Sequence, residues 1–223
     1  MKKEKVLIIA AHPDDDILGC GGYCAKYSNT KDIRVIFIAE GSSCRFQNIE
    51  DEKEEINKAI SVRTDCSRKA LSVLGINNVS FYDMPCGRLD SVSIIDINKI
   101  IEKEVIDFQA DTLITHSELD VNNDHRIVNR SVMMATRPVL AVGLKNIFTF
   151  EVLSSSEWNL SDPFTPNLFE ELSEDNLNKK WEALSCFKGE IRDYPHPRSK
   201  IGMKTLASYR GMQIGVSYAE GFK

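Results

Sequence analysis

The sequence predicts an α/β fold in which helices cover both faces of a mostly parallel β-sheet. Short apolar runs alternate along the chain with segments in which apolar residues recur at helical spacing. The apolar runs are nearly continuous, which is typical of strands that are buried on both faces of a sheet. We expect right-handed crossovers between the strands, with the chemistry at the carboxyl ends of the strands.

The composition is that of a folded globular protein. Of the 223 residues, 42% are hydrophobic and 27% are charged, which is far from the composition of disordered chains. We expect one domain over residues 1–223. The 28 Lys and Arg residues are outnumbered by 33 Asp and Glu residues. This balance argues against nucleic acid as a partner, because phosphate binding needs clustered positive charge.

The N-terminal apolar run, Val6 to Ala11, is too short to span a membrane, and it lacks the features of a signal peptide. We therefore expect a cytoplasmic protein without a membrane span. Six cysteines are scattered without a C-x-x-C pair. In a reducing compartment such thiols are most often small buried residues, so disulfides are the less favoured interpretation.

The first predicted strand, Lys5 to Ala11, must end at His12-Pro13, because proline cannot donate to a strand ladder and disfavours helix at the preceding residue. The carboxylates Asp14 to Asp16 then open an acid-rich helix. A second strand over Ile33 to Ala39 stops at Glu40. The remaining predicted elements are a helix over 61–74, a strand over 79–82, a helix over 91–108, a strand over 112–115, a helix from near 124 to before 138, a strand over 147–152 and a helix over 175–187.

Two segments lie outside this regular alternation. The segment from Ser154 to Pro166 predicts a long loop over a site or towards a partner, with an ordinary surface connection as the alternative. The tail from Arg198 to Phe222 is expected to be partly helical. If the protein forms a homo-oligomer, these two segments are the candidate contact surfaces.

Three predicted strands end in polar clusters, which should meet at one edge of the sheet. The clusters are His12 with Asp14 and Asp15, then Glu40 to Arg45, then His116 with Asp120, Asp124 and His125. Two histidines and one carboxylate would fill the three protein positions of a catalytic zinc site and leave one for water. A metal lowers the pKa of its bound water to about 7, and a nearby carboxylate such as Asp14 can take the proton.

The acidic run also has a structural interpretation, because Asp14 to Asp16 could cap a helix and complement its dipole. For Asp16 we favour this capping role over catalysis. For His12 with Asp14 and Asp15 we favour function, because polar groups directly after a buried strand are poor core material. His125 alone is weak evidence and gains weight from the preceding Asp124.

Two motifs together resemble a known family. His12-Pro13-Asp14-Asp15 after an apolar strand, followed by Asp120-x-x-x-Asp124-His125, is similar to the LmbE-like or PIG-L-like zinc-dependent N-deacetylases. The resemblance covers nearly the whole chain. It extends through Arg63, Leu74-Gly75, His196-Pro197-Arg198-Ser199, Tyr209-Arg210-Gly211 and Ala219-Glu220-Gly221-Phe222.

The resemblance implies a Rossmann-like three-layer fold and a metal-dependent N-deacetylase that acts on an N-acetylglucosamine-type sugar, either a small molecule or a glycoconjugate. It implies that His12, Asp15 and His125 hold one divalent metal, with Asp14 as general base. Zinc is the favoured metal, and Fe²⁺ is the alternative because similar donor sets also accept it.

Further site residues follow from the same resemblance. Arg45 is a candidate for substrate binding, with a solvated surface charge as the alternative. His196 either closes the pocket or ties the tail to the core, and Asp124 orients a neighbouring histidine. Some relatives have a histidine that stabilises the oxyanion at the position where this chain has Asn122. In this chain Asn122 is a candidate for substrate binding. His116 is the candidate for that catalytic role, and its alternative is a strand-end histidine bonded to backbone.

Other departures from the family pattern carry no predicted function. Asp16 replaces the usual Glu, and Cys66 and Cys86 stand where relatives often have acidic residues. Two other functions remain open at this point. One is a metal-dependent amidohydrolase that acts on a non-sugar acylated amine. The other is a non-catalytic sugar- or nucleotide-binding module, which is weakened because no glycine-rich phosphate loop follows the first strand.

Overall fold

The computed structural model describes residues 3–138 and 143–223. Within these residues, seven strands form one sheet of order β3-β2-β1-β4-β5-β7-β6. The strands are β1 (Lys5–Ala10), β2 (Asp32–Ala39), β3 (Asn78–Met84), β4 (Thr112–His116), β5 (Asn146–Phe150), β6 (Leu168–Glu171) and β7 (Ala219–Phe222). The α-helices are α1 (Asp15–Tyr27), α2 (Lys53–Val73), α3 (Ile94–Phe108), α4 (Asn123–Ala135), α5 (Glu174–Leu184) and α6 (Lys200–Ile214).

The sheet reverses its strand order beside β1. Strands β2 and β3 extend to one side of β1, and β4 and β5 extend to the other, with all neighbours in β1 to β5 parallel. Ile9 of β1 pairs in register with Thr115 of β4. The residues that follow these two strands therefore face the same crevice, which is where open α/β sheets bind ligands.

Side chains of β1 alternate between two apolar layers, as expected for a strand that is buried on both faces. Val6 and Ile8 belong to the core shared with α1, α5 and α6, whereas Leu7 and Ile9 belong to the core shared with α3 and α4. The predicted α/β fold with helices on both faces is thus confirmed. Among the described residues, no helix is both long enough and apolar enough to cross a membrane.

The sequence did not predict strands β6 and β7, which are antiparallel to each other at one edge of the sheet. Both have only four residues, and β7 contains the charged Glu220. The Glu220 carboxylate is buried because it accepts the backbone N–H groups of Gly22 and Tyr23 and pairs with Lys180. A charged residue can be buried when it is paired in this way. It then interrupts the apolar pattern from which a strand is predicted.

Helix α2 also begins earlier than predicted. Its N-terminal part is largely exposed, and Ile56 is its first buried residue. Apolar spacing predicts the helix only over 61–74, because residues on a largely solvated stretch of helix show no apolar periodicity.

Helix α1 approaches the sheet closely at Gly19. A β-carbon built on Gly19 would lie 2.2 Å from the ring of Phe150 in β5. The same ring packs edge-on against His116, with 4.9 Å between ring centroids. The absence of a side chain at Gly19 therefore sets the depth at which α1 lies on the strands beside the crevice.

We expect Gly19→Ala to lower the free energy of unfolding by about 1–3 kcal/mol, because the new methyl group must displace a fully buried aromatic ring. Urea unfolding of the two proteins measures this difference. Gly189→Ala is the matched control, since a β-carbon at Gly189 would meet no atom within 4 Å. Equal stability of Gly19→Ala and the parent protein would contradict the close approach.

Candidate active site

Three predicted metal ligands come together at the crevice. His12 follows β1, Asp15 begins α1, and His125 lies in the first turn of α4. Asp15 Oδ2 is 3.2 Å from His12 Nδ1 and 3.2 Å from His125 Nε2. It also accepts the backbone N–H of His12 at 2.9 Å. All three side chains are buried.

The donor set fits a divalent cation. The ligand atoms of His12, Asp15 and His125 lie within 4.8 Å of one another. His125 Nε2 is buried and makes no hydrogen bond of acceptable geometry, although Asp15 is near. Two imidazole nitrogens and one carboxylate oxygen are the ligand types of catalytic zinc sites, which keep one further position for water or substrate.

A carboxylate lies against the second nitrogen of each of these histidines. Asp124 Oδ2 accepts a hydrogen bond from His12 Nε2 at 2.9 Å. Asp120 Oδ1 lies 3.2 Å from His125 Nδ1. Such contacts fix the orientation of an imidazole and raise its basicity as a ligand. Asp124 thus serves His12, which answers a question that the sequence left open.

Asp124 and Asp120, the outer carboxylates of the site, both accept further hydrogen bonds. Asp124 accepts the backbone N–H groups of Gly87 at 2.6 Å and Leu89 at 3.1 Å. Asp120 accepts hydrogen bonds from the hydroxyl groups of Ser155 and Ser156. The loop after β3 and the loop after β5 therefore both support the histidine cluster.

Charge coupling within the cluster is strong. Burial alone would lower the pKa of both imidazoles, but Asp124 and Asp15 raise the pKa of His12 to about 9. Asp15 and Asp120 likewise raise the pKa of His125 to about 10. Burial tends to raise the pKa of Asp15, yet His125 and His12 hold it well below its usual range. Without a cation, protons therefore occupy the two imidazoles at neutral pH.

Asp14 lies beside this cluster but has different partners. Its backbone has a φ of 138°, a conformation that is rare for a non-glycine residue and is often found at functional sites. Its carboxylate pairs with Arg63 at 2.8 Å and with Arg198 at 3.0 Å. Burial raises the pKa of Asp14, while the two guanidinium groups oppose the increase. The neighbouring carboxylates of Asp14 and Asp15 are therefore available for different tasks.

Glu190, which the sequence analysis missed, joins three arginines at the edge of the site. It accepts hydrogen bonds from Arg63 at 2.6 Å and Arg198 at 2.9 Å, and it also binds Arg45. Burial raises the pKa of Glu190, but Arg63 and Arg45 outweigh this effect and lower it to about 2. We call Arg45, Arg63 and Arg198, with Glu190 and Asp14, the arginine cluster. Its three guanidinium groups and two carboxylates leave one excess positive charge.

His116 is fully buried beside the histidine cluster. Its Nε2 accepts the backbone N–H of Ala11 at 2.8 Å, and its ring stacks on His125 with 4.0 Å between centroids. Burial first, and then His125, lowers the pKa of His116 to about 3, so the ring is neutral. These contacts match the structural alternative, and the catalytic role of His116 stays a prediction.

Two further predicted site residues, Asn122 and His196, bind backbone groups, whereas Asp16 does not. Asn122 is the N-cap of α4, and its side chain accepts the backbone N–H of Asp124 at 2.9 Å. His196 is half-buried, and its Nδ1 accepts the backbone N–H of Arg198 at 3.1 Å. Asp16 makes no side-chain hydrogen bond, so the expected cap on α1 is not formed. Burial raises the pKa of Asp16 to about 8.

Comparison with known protein families finds a match over the first part of the chain. The family model described as "PIG-L: GlcNAc-PI de-N-acetylase" matches residues 7–136, which is more than half of the chain. The chain belongs to this PIG-L (LmbE-like) family. The matched region contains all three candidate metal ligands and Asp14.

One curated relative and two solved structures resemble the chain over most of its length. "Uncharacterized deacetylase YaiS" from Escherichia coli (strain K12) is 27% identical over 191 residues, which cover 84% of this chain and 92% of the relative. N,N'-diacetylchitobiose deacetylase from Pyrococcus horikoshii has a TM-score of 0.75 at 20% identity, covering 99% of this chain and 83% of that one.

The second structure is 4-carboxy-2-hydroxymuconate hydratase from Pseudomonas putida KT2440, with a TM-score of 0.76 at 20% identity, covering 99% of this chain and 95% of that one. A deacetylase and a hydratase therefore share this fold. Because likeness at this level concerns the fold alone, the reaction of a PIG-L family member must be argued from its site.

The raised pKa values of the two imidazoles predict a pH-dependent metal affinity. Zinc must displace protons from His12 and His125, so its apparent affinity should rise as the pH rises from 6 to 8. Calorimetry in buffers of different ionisation enthalpy measures both the affinity and the protons released. An affinity that is independent of pH, with no proton release, would contradict the protonated histidine pair.

Proposed function

We propose that this protein is a metal-dependent N-deacetylase that hydrolyses the acetamide group of an N-acetylglucosamine-type sugar or glycoconjugate. The observation that carries the proposal is the separation of two adjacent carboxylates. Asp15 faces the two histidines, whereas Asp14 faces two guanidinium groups. One carboxylate is thus available as a ligand and the other as a base.

His12, Asp15 and His125 would hold the metal, which we propose is zinc. A divalent cation at this position supplies Lewis acidity, both to acidify water and to polarise the amide carbonyl. Asp124 and Asp120 keep the two imidazoles oriented during turnover.

Asp14 moves the proton in the proposed reaction. Its carboxylate accepts a proton from the attacking water and delivers it to the nitrogen of the leaving amine, so that acetate and a free amino sugar are formed. The buried position of Asp14 raises its pKa above that of an ordinary aspartate, which brings it closer to the range that suits a base at neutral pH. The excess positive charge of the arginine cluster favours the oxyanion that develops on the carbonyl oxygen.

Asp14→Asn should lower kcat for release of acetate by about 10²–10⁴-fold, because an amide cannot take the proton. Elemental analysis should find its metal content unchanged, since Asp14 is not among the proposed ligands. The matched control is Asp16→Asn, the same substitution at a buried carboxyl group with no hydrogen-bond partner. An active Asp14→Asn enzyme would refute the assignment of the base.

A groove beside the arginine cluster bears on the substrate. It has a volume of about 840 Å³ and is lined by residues of α2 and by residues between 182 and 190, and its lining includes Arg45, Arg63 and Glu190 of the arginine cluster. Most of its lining is apolar and includes the side chains of Phe46, Val62, Cys66, Cys186 and Phe187. We propose that it receives the part of the substrate that lies beyond the N-acetyl sugar.

An N-acetylglucosamine that carries an apolar aglycone should therefore have a lower KM than the free sugar. Val62 is 55% exposed, so Val62→Asp should raise KM for the glycoside and leave KM for the free sugar unchanged. Ile106→Asp is the control, since Ile106 is equally accessible on α3 at the other face of the sheet. Equal KM values for the two substrates, or faster hydrolysis of a non-sugar acylated amine, would contradict the proposed substrate.

A further inference from the structure

We propose that Cys44 and Cys86 form a reversible intramolecular disulfide. Its formation changes the metal affinity of the metal-binding cluster, His12, Asp15 and His125, with the thiol–disulfide balance of the surrounding solution. The two Sγ atoms are 3.3 Å apart, and the Cys86 thiol donates a hydrogen bond to Cys44. All six cysteines of the chain are free thiols in the structure. The sequence predicts no function for Cys86.

Buried contacts hold the two thiols together. Cys44 lies in the loop after β2, and Cys86 lies in the loop after β3. The Glu40 carboxylate bridges these loops, since it accepts the backbone N–H of Ser43 at 3.0 Å and that of Cys86 at 2.9 Å. Because both loops are fastened by one buried carboxylate, the two sulfur atoms are kept in proximity.

A glycine permits the close packing of these loops. Gly87 follows Cys86 and has a φ of 72°. A β-carbon at Gly87 would lie 2.9 Å from the Cys44 β-carbon. A disulfide needs sulfur atoms about 2.05 Å apart, so closure requires a shift of only about 1.3 Å, which two loops in contact can make.

The chemical roles of the two thiols differ. Cys44 is exposed to solvent and Cys86 is buried. The hydrogen bond from Cys86 is the main reason that the pKa of Cys44 is lowered to about 6, and a lowered pKa favours the nucleophilic thiolate. Cys44 is therefore the attacking residue, and Cys86 is the residue that resolves the intermediate.

The oxidant that we propose is a low-molecular-weight disulfide. The Cys44 thiolate attacks one of its sulfur atoms, which forms a mixed disulfide and expels one thiolate. Cys86 then loses its proton to solvent, and its sulfur attacks Cys44, which expels the second thiolate. The protein loses two protons and two electrons, and the small disulfide is reduced to two thiols.

The disulfide would act on the metal-binding cluster through the segment after Cys86. The Cys86 sulfur lies within 4.8 Å of ligand atoms of His12 and Asp124. The next residue, Gly87, donates its backbone N–H to Asp124 Oδ2, the atom that also binds His12. Movement of Cys86 towards Cys44 displaces this donor, so we expect the oxidised protein to bind zinc about 10-fold more weakly.

The test uses the full-length protein, freed of reductant and incubated with oxidised glutathione. Intact mass should fall by two hydrogen atoms, and peptide mapping should find a Cys44–Cys86 link that dithiothreitol reverses. Cys86→Ser should stop at the glutathione adduct of Cys44. Cys66→Ser is the control, and it should form the link as the parent protein does.

Links between other cysteines, or a parent protein that stops at the glutathione adduct, would overturn the proposal. Equal zinc affinity of the linked and reduced proteins, measured by competition with a chelator, would overturn the coupling. A metal ion lost from Cys44→Ser and Cys86→Ser alike would instead assign the thiols to metal binding. Because these readouts are masses and affinities, they do not depend on the proposed deacetylase activity.

Discussion

Two buried imidazoles share one carboxylate where the strand order of the sheet reverses, and much of the surrounding structure serves this arrangement. Charges are costly to bury unless each is paired and hydrogen-bonded. Asp15 lies between His12 and His125, and Asp124 and Asp120 meet the outer nitrogens of the two rings. Donors from the loops after β3 and β5 then satisfy these outer carboxylates. The carboxylates therefore compensate the buried histidines, and the loop donors compensate the buried carboxylates.

The same constraint explains why distant parts of the chain converge. Asp14 is adjacent to Asp15, and it combines an unusual backbone conformation with a carboxylate that pairs with two arginines. Its partners come from α2, through Arg63, and from the segment before α6, through Arg198. Glu190 then balances these arginines. The C-terminal tail thus completes the charge balance of a site whose proposed ligands lie in the first 125 residues.

The sequence predicted the parts of the site that depend on strand ends. His12, Asp15 and His125 could be placed together because carboxyl ends of neighbouring parallel strands share one edge. Glu190 could not be predicted, since it is a single acidic residue outside any regular element, and its partner Arg63 is 127 positions away. Strand β7 could not be predicted either, because Glu220 interrupts its apolar pattern. In each case the missing information is a long-range ion pair, which leaves no local spacing signal.

We propose that His12, Asp15 and His125 form one metal site. The most direct test is elemental analysis of protein purified without chelator, compared with His125→Ala and with His196→Ala as the control outside the cluster. We predict about one zinc ion per chain in the parent protein and in His196→Ala, and none in His125→Ala. Equal metal content in all three proteins, or no metal in the parent protein after reloading with zinc, would contradict the claim.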